Sequence, residues 1–141
     1  MTETTKLPLT GGCLCGYIRY EVLEAPRSVY TCHCTDCQHL TGSAFSMALT
    51  VPEAGFRLKL AEPRSLECVA DSGRVKLRWV CPGCGCWLFS TGSPSDGTRR
   101  VLAGTLDDTS WLRPTKHFWV RNKQPWITLP ENDQTFETQP A

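Results

Sequence analysis

The chain has 141 residues, 40% hydrophobic and 21% charged, a balance that suits one globular domain with its own core and excludes wholesale disorder. Lys plus Arg number 15 against 14 Asp plus Glu, so the formal charge is +1 and the basic excess that a phosphate backbone requires is absent. No apolar run reaches the roughly 20 residues of a bilayer span, and residues 1–9 lack the apolar core of a signal peptide. Neither a nucleic-acid nor a membrane partner is expected.

Residues 1–8 are polar and Pro-containing, and are expected to form a flexible tail. The domain is expected over residues 9–129, with a second polar, flexible tail at 130–141. Two-residue alternation dominates between the tails. Ile18, Tyr20 and Val22 share one strand face, with Tyr17, Arg19 and Glu21 on the other. Phe45, Met47, Leu49 and Val51 repeat the signal, followed by a turn at 52–55 and by Phe56, Leu58 and Leu60. Asp71-Ser72-Gly73 is a turn-forming trio that leads into Val75, Leu77, Trp79 and Cys81. Later strands are expected at 87–90, 101–104 and 117–120. Helix is scarce: one short turn over residues 38–42 and another over 107–112. The pattern predicts an all-β domain of antiparallel sheets with short strands.

Seven of the nine cysteines fall into tight clusters: Cys13 and Cys15; Cys32, Cys34 and Cys37; Cys81 and Cys84. That spacing is typical of metal ligands, and the cytoplasm, where thiols stay reduced, is the expected location. Cys81-Pro82-Gly83-Cys84-Gly85 reads as a zinc knuckle, in which Gly85 accepts positive φ so that backbone N–H groups can face the sulfurs. A knuckle needs two further ligands, and Cys13 and Cys15 are the natural partners because Gly11, Gly12 and Gly16 free the backbone around them. Such a site is structural. Cys32, Cys34 and Cys37 offer only three thiolates, which leaves one position open on zinc for water or a substrate thiol. A closed alternative would use His33, His39 or Cys86 as the fourth ligand. Loading two zinc ions on seven thiolates makes the chain's charge negative, which again disfavours nucleic acid.

Gly12-Cys13-Leu14-Cys15-Gly16, Cys32-His33-Cys34-Thr35-Asp36-Cys37, Thr41-Gly42-Ser43-Ala44-Phe45-Ser46 and Cys81-Pro82-Gly83-Cys84-Gly85 together resemble the glutathione-dependent formaldehyde-activating enzyme (GFA) family. That family shares its domain with centromere protein V. The resemblance extends through Gly104-Thr105-Leu106-Asp107-Asp108 and His117-Phe118-Trp119. It implies a β-tent of antiparallel sheets around two zinc ions, with Cys13, Cys15, Cys81 and Cys84 holding a structural zinc and Cys32, Cys34 and Cys37 a catalytic one. The implied activity is that of a carbon–sulfur lyase, S-(hydroxymethyl)glutathione synthase, joining glutathione to formaldehyde or reversing that step. The expected partner is therefore a small-molecule thiol or thiol–aldehyde adduct.

This chain departs from the family pattern at Cys86, where a small polar residue is usual, and at Gln38, where many members carry arginine. Arg19, Lys76, Arg78, Arg99, Arg100, Arg113 and Arg121 are the cations available for glutathione's carboxylates. Trp119 and Trp126 are candidate pocket walls, His117 a packed strand residue and Cys68 a buried, inert thiol. Two other readings use the same cysteines: a noncatalytic interaction module that needs zinc only to fold, and a redox sensor in which Cys34 and Cys37 form a reversible disulfide.

Overall fold

Alternating patterns carry most of the chain into strands, and a computed structural model describes them for residues 6–70 and 72–139. Most of the expected N-terminal tail (residues 1–5), Asp71 of the expected turn trio and residues 140–141 lie outside the described residues. The architecture is mostly β, in two sheets. A three-stranded antiparallel sheet has the order β1 (Leu9–Gly12), β2 (Arg19–Val22), β5 (Phe56–Lys59). An eight-stranded sheet runs β11 (Gln134–Phe136), β10 (Lys116–Phe118), β3 (Ser28–Cys32), β4 (Ser46–Pro52), β9 (Thr98–Leu102), β8 (Trp87–Ser93), β7 (Val75–Val80), β6 (Arg64–Val69). Its pairs are antiparallel except at one edge, where β10 runs parallel to both β3 and β11. No helix among the described residues is long and apolar enough to cross a membrane.

The predicted faces explain how the sheets meet. Ile18, Tyr20 and Val22 are almost wholly buried against Leu49, Val51, Leu88, Phe89 and Val101 of the large sheet. Phe56 bridges the two layers, its ring centroid 5.2 Å from Tyr20 and 4.9 Å from Phe89. Each large apolar side chain buried here contributes about 1.5–3 kcal/mol. Small size is needed at Gly11, where an added Cβ would come within 2.5 Å of the Thr105 carbonyl oxygen and run into the Tyr20 ring.

Two expected helical turns shift. The short helix α1 spans Thr35–Thr41, starting three residues before the expected 38–42, because the Cys34 side chain caps it and Gly42 ends it in the left-handed conformation at φ 63°. Residues 107–112 form no helix; a single 3-10 turn, Ala103–Thr105, precedes them instead. One hydrogen-bonded turn remains within the segment, from the Leu112 N–H to the Thr109 carbonyl oxygen at 3.1 Å.

The structure differs most from expectation at residues 133–136, within the segment 130–141 expected as a flexible tail. Gln134–Phe136 add a strand to the sheet edge, and Phe136 packs 5.2 Å from Phe118. Asp133 is buried and accepts a hydrogen bond from His117 Nε2 at 2.8 Å, both side chains being 4% exposed. His117 Nδ1 lies 2.6 Å from Thr31 Oγ1, which lies 3.0 Å from His33 Nε2. One assignment satisfies the chain. His117 Nε2–H donates to Asp133, the Thr31 hydroxyl donates to His117 Nδ1, and Thr31 accepts from His33 Nε2–H. The partnerless atom is then the bare lone pair of His33 Nδ1, cheaper to bury than an N–H. Three residues are too short for periodicity to register, and two of the three, Gln134 and Thr135, are polar and exposed.

Two outcomes follow for stability. Gly11→Ala is expected to cost about 1–3 kcal/mol in urea unfolding, the usual penalty of overpacking. An unchanged midpoint would mean that β1 does not pass this close to Tyr20. Asp133→Ala strands a buried His117 N–H and is expected to cost about 1–3 kcal/mol. A dispensable tail would show no loss.

Candidate metal centres and the cleft beside them

The sulfurs of Cys13, Cys15, Cys81 and Cys84 all lie within 4.8 Å of one another. Cys13 and Cys15 come from the turn after β1, Cys81 and Cys84 from the turn after β7, so the cluster joins the small sheet to the large one. Cys15 Sγ is 3.6 Å from Cys13 Sγ and 3.7 Å from Cys81 Sγ. Backbone N–H groups point at the sulfurs: Ile18 donates to Cys13 at 3.3 Å, and Gly83 and Cys84 donate to Cys81 at 3.3 and 3.4 Å. Gly85 takes the expected positive φ, 77°, and its N–H closes the knuckle on the Cys81 carbonyl oxygen at 2.8 Å. An all-sulfur set of four with amide donors around it fits tetrahedral zinc.

The sulfurs of Cys32, Cys34 and Cys37 form the second group, again within 4.8 Å of one another. Cys32 ends β3, Cys34 caps α1 and Cys37 sits one turn into it. Because α1 starts directly after Cys34, the helix itself brings Cys37 round to the other two. The Cys37 N–H donates to Cys34 Sγ at 3.3 Å, and Ser46 Oγ on β4 donates to Cys37 Sγ at 3.1 Å. Hydrogen bonds from Cys32 and Cys37 pull the Cys34 thiol well below its ordinary range, while the hydrogen bond shared with Cys34 drives Cys32 far up. Sulfurs packed this closely oppose one another's ionisation, so full ionisation calls for a cation among them. Three thiols primed in this way fit a zinc ion with one position left over.

None of the proposed fourth ligands joins this group among the described residues. His33 is fully buried on the far side of β3, turned to Thr31, and burial holds its ring down to about 4. His39 is exposed and bonds the Thr35 carbonyl oxygen at 2.9 Å. Cys86 packs against the core next to the other cluster, and burial raises its thiol. Cys68, expected as a buried thiol, is exposed, because β6 is an edge strand in which only Leu66 is even half-covered. The nine cysteines form no disulfide.

The three-sulfur group borders a cleft of about 380 Å³, lined by Cys34, Thr35, Asp36, Lys76, Trp119 and Arg121, with Ala70 and Asn122. Three strands separate β3 from β7 in the sheet order, so a flat sheet would hold Cys34 and Lys76 about 19 Å apart. Both line the one cleft because Cys34 lies past the end of β3, at the start of α1, and Lys76 has a long side chain. Of the cations singled out in the sequence, Arg19 is bound to Asp107, Arg99 to Glu53, Arg100 to Asp96 and Arg113 to Asp133. Arg78 lies over the Trp87 ring at 5.6 Å. Trp119 lines the cleft as expected, whereas Trp126 does not; it is exposed and donates to Gln124 Oε1 at 2.7 Å. Sequence reasoning missed Ser46 and the Asp133–His117 pair, for which no local pattern exists. Gln38, which replaces an expected cation, donates to the carbonyl oxygens of His33 and Asn122 at 2.9 and 3.0 Å and so ties α1 to the cleft wall.

Residues 8–122 match the family described as "Glutathione-dependent formaldehyde-activating enzyme". Among solved structures, a Rhodobacter sphaeroides protein shares the fold, with a TM-score of 0.54 at 19% identity over 74% of this chain and 91% of that one. No curated protein matches. With a match across most of its length, and with every cysteine of the motifs gathered into one of two sulfur clusters, the chain belongs to the glutathione-dependent formaldehyde-activating enzyme family.

Proposed function

We propose that the protein is a zinc-dependent carbon–sulfur lyase acting on a thiol–aldehyde adduct, as in the joining of glutathione and formaldehyde to S-(hydroxymethyl)glutathione. The observation that carries this reading is the three-sulfur group bordering a cleft with no fourth protein ligand among the described residues. Zinc held there by Cys32, Cys34 and Cys37 would supply a Lewis acid with one free position, at which a thiol gives up its proton near neutral pH. Zinc held by Cys13, Cys15, Cys81 and Cys84 has no free position and serves the fold.

The chain's own groups prepare the site. The Cys37 N–H and the Ser46 hydroxyl hold two of the sulfurs in place, so little reorganisation is needed when a ligand arrives. Trp119 forms an apolar wall that limits water near the reacting carbon. The chemistry needs no electron carrier: the sulfur bonds to the carbonyl carbon, the C=O π bond becomes C–O–H, and the thiol proton ends on oxygen. The positions of Cys86, packed against the core, and of His33 and His39, both bonded elsewhere, support an open site over the noncatalytic alternative. Free thiols throughout suit a reducing compartment such as the cytoplasm.

Elemental analysis of anaerobically purified protein is expected to find about two zinc ions per chain, four thiolates closing one site and three holding the other. One equivalent would remove the zinc-dependent mechanism. Cys34→Ser is expected to abolish formaldehyde–glutathione turnover with the circular dichroism spectrum retained, whereas Cys81→Ser is expected to lower unfolding stability sharply, since it loosens the tie between the sheets. Loss of folding in Cys34→Ser would make the second site structural.

A further inference from the structure

We propose that His33 is the positioning residue of the three-sulfur group, and that the C-terminal segment holds it in place through Asp133, His117 and Thr31. The inference rests on reading that group as a zinc centre, and adds what sets its hold on the metal. His33 stands between two of the three ligand candidates, Cys32 and Cys34. Its ring meets Thr31, two positions back, at 3.0 Å, so both side chains leave the same face of the strand. Cys32 and Cys34 then turn to the opposite face, where Cys37 joins them. Whatever fixes the His33 ring therefore aims two of the three sulfurs.

His33 is held on three sides. Its N–H donates to the Phe118 carbonyl oxygen at 2.9 Å, and its own carbonyl oxygen accepts from Gln38 Nε2 at 2.9 Å. Its buried ring packs 5.1 Å from Phe45 and begins the bonded series through Thr31 and His117 to Asp133. Asp133 directly precedes β11, whose pairing with β10 completes the sheet edge. Phe136 against Phe118, and the Gln134 N–H on the Thr115 carbonyl oxygen at 3.0 Å, fasten that segment. It lies past the family-matched residues 8–122, so the match assigns it no role. A buried series in which each link bonds the next is costly to break, because losing one member strands its neighbour. Arg113, 3.6 Å from Asp133 but more than half exposed, adds little to it.

The test is equilibrium competition for zinc against a chelator, on the zinc-loaded full chain, with urea unfolding and formaldehyde–glutathione turnover measured beside it. The wild type is expected to give up its metal in two steps, the weaker of them missing in Cys34→Ser. Thr31→Val keeps the shape and removes the middle link, Asp133→Ala removes the far acceptor, and Asp133→Asn keeps a carbonyl oxygen for His117. Thr31→Val and Asp133→Ala are expected to weaken the three-sulfur step about 5- to 20-fold and leave the four-sulfur step unchanged, with Asp133→Asn near the wild type. Val51→Ala, a core substitution at the far end of β4, is the control for general loss of stability and is expected to spare both steps. Equal weakening of both steps, no change in either, or the same selective loss in Val51→Ala would overturn the inference, as would an Asp133→Asn that behaves like Asp133→Ala. A single step in the wild type would remove the zinc centre and the inference with it. If the three-sulfur step weakens in the variants while the wild type turns over no adduct, the positioning role stands and the lyase reading fails. If turnover is present and that step does not move, the lyase reading stands and the positioning role fails.

Discussion

Four cysteine sulfurs packed within 4.8 Å cannot all ionise without a cation between them, and this cluster sits where the two sheets of the molecule meet. Cys15 and Cys81 are 66 positions apart, so the contact closes a loop spanning nearly half the chain. The aromatic layer of Tyr20, Phe56 and Phe89 joins the same two sheets by dispersion and burial alone. Fold and metal chemistry are thus coupled: the apolar core brings the two turns near each other, and the sulfur cluster sets their spacing. The close approach at Gly11 belongs to the same junction, since β1 must pass over Tyr20 for Cys13 to reach its partners.

The second cluster is built on different terms. Its sulfurs come from one strand end and the helix that follows, a local unit that needs no distant segment to assemble. What distant segments contribute is its surroundings. Ser46 reaches in from the neighbouring strand, Lys76 from β7, and Trp119 and Arg121 from the chain beyond β10. Behind it, the hydrogen-bonded series His33, Thr31, His117 and Asp133 anchors the strand that ends in Cys32. The contrast between a cluster that closes the fold and one that opens on a cleft parallels the difference between four sulfurs and three.

Much of this was legible from residue order, and the failures have physical causes. Alternation located β2, β4, β5 and β7 because each turns alternate apolar side chains to the core. Helix α1 was expected too late because a cysteine at its N-cap is an unusual cap, although Cys34 Sγ accepts the Cys37 N–H as a serine or aspartate oxygen would. Cys68 was expected to be buried because strand pattern carries no information about whether a strand lies at an edge. The C-terminal strand escaped notice because it is three residues long and held by Phe136 against Phe118 and by the preceding Asp133 against His117.

The sequence by itself determined the two cysteine sets and their unequal numbers, because metal-ligand spacing is a local property of a few adjacent residues. It also determined the mostly β character, through a period of two that any short segment displays. Only the tertiary structure decided that Cys86, His33 and His39 stay out of the second cluster, since each orientation depends on partners distant in the chain or on the far face of a strand. Which of seven candidate cations reach the cleft was likewise decided by strand placement and by competing carboxylates, long-range quantities that no local pattern encodes.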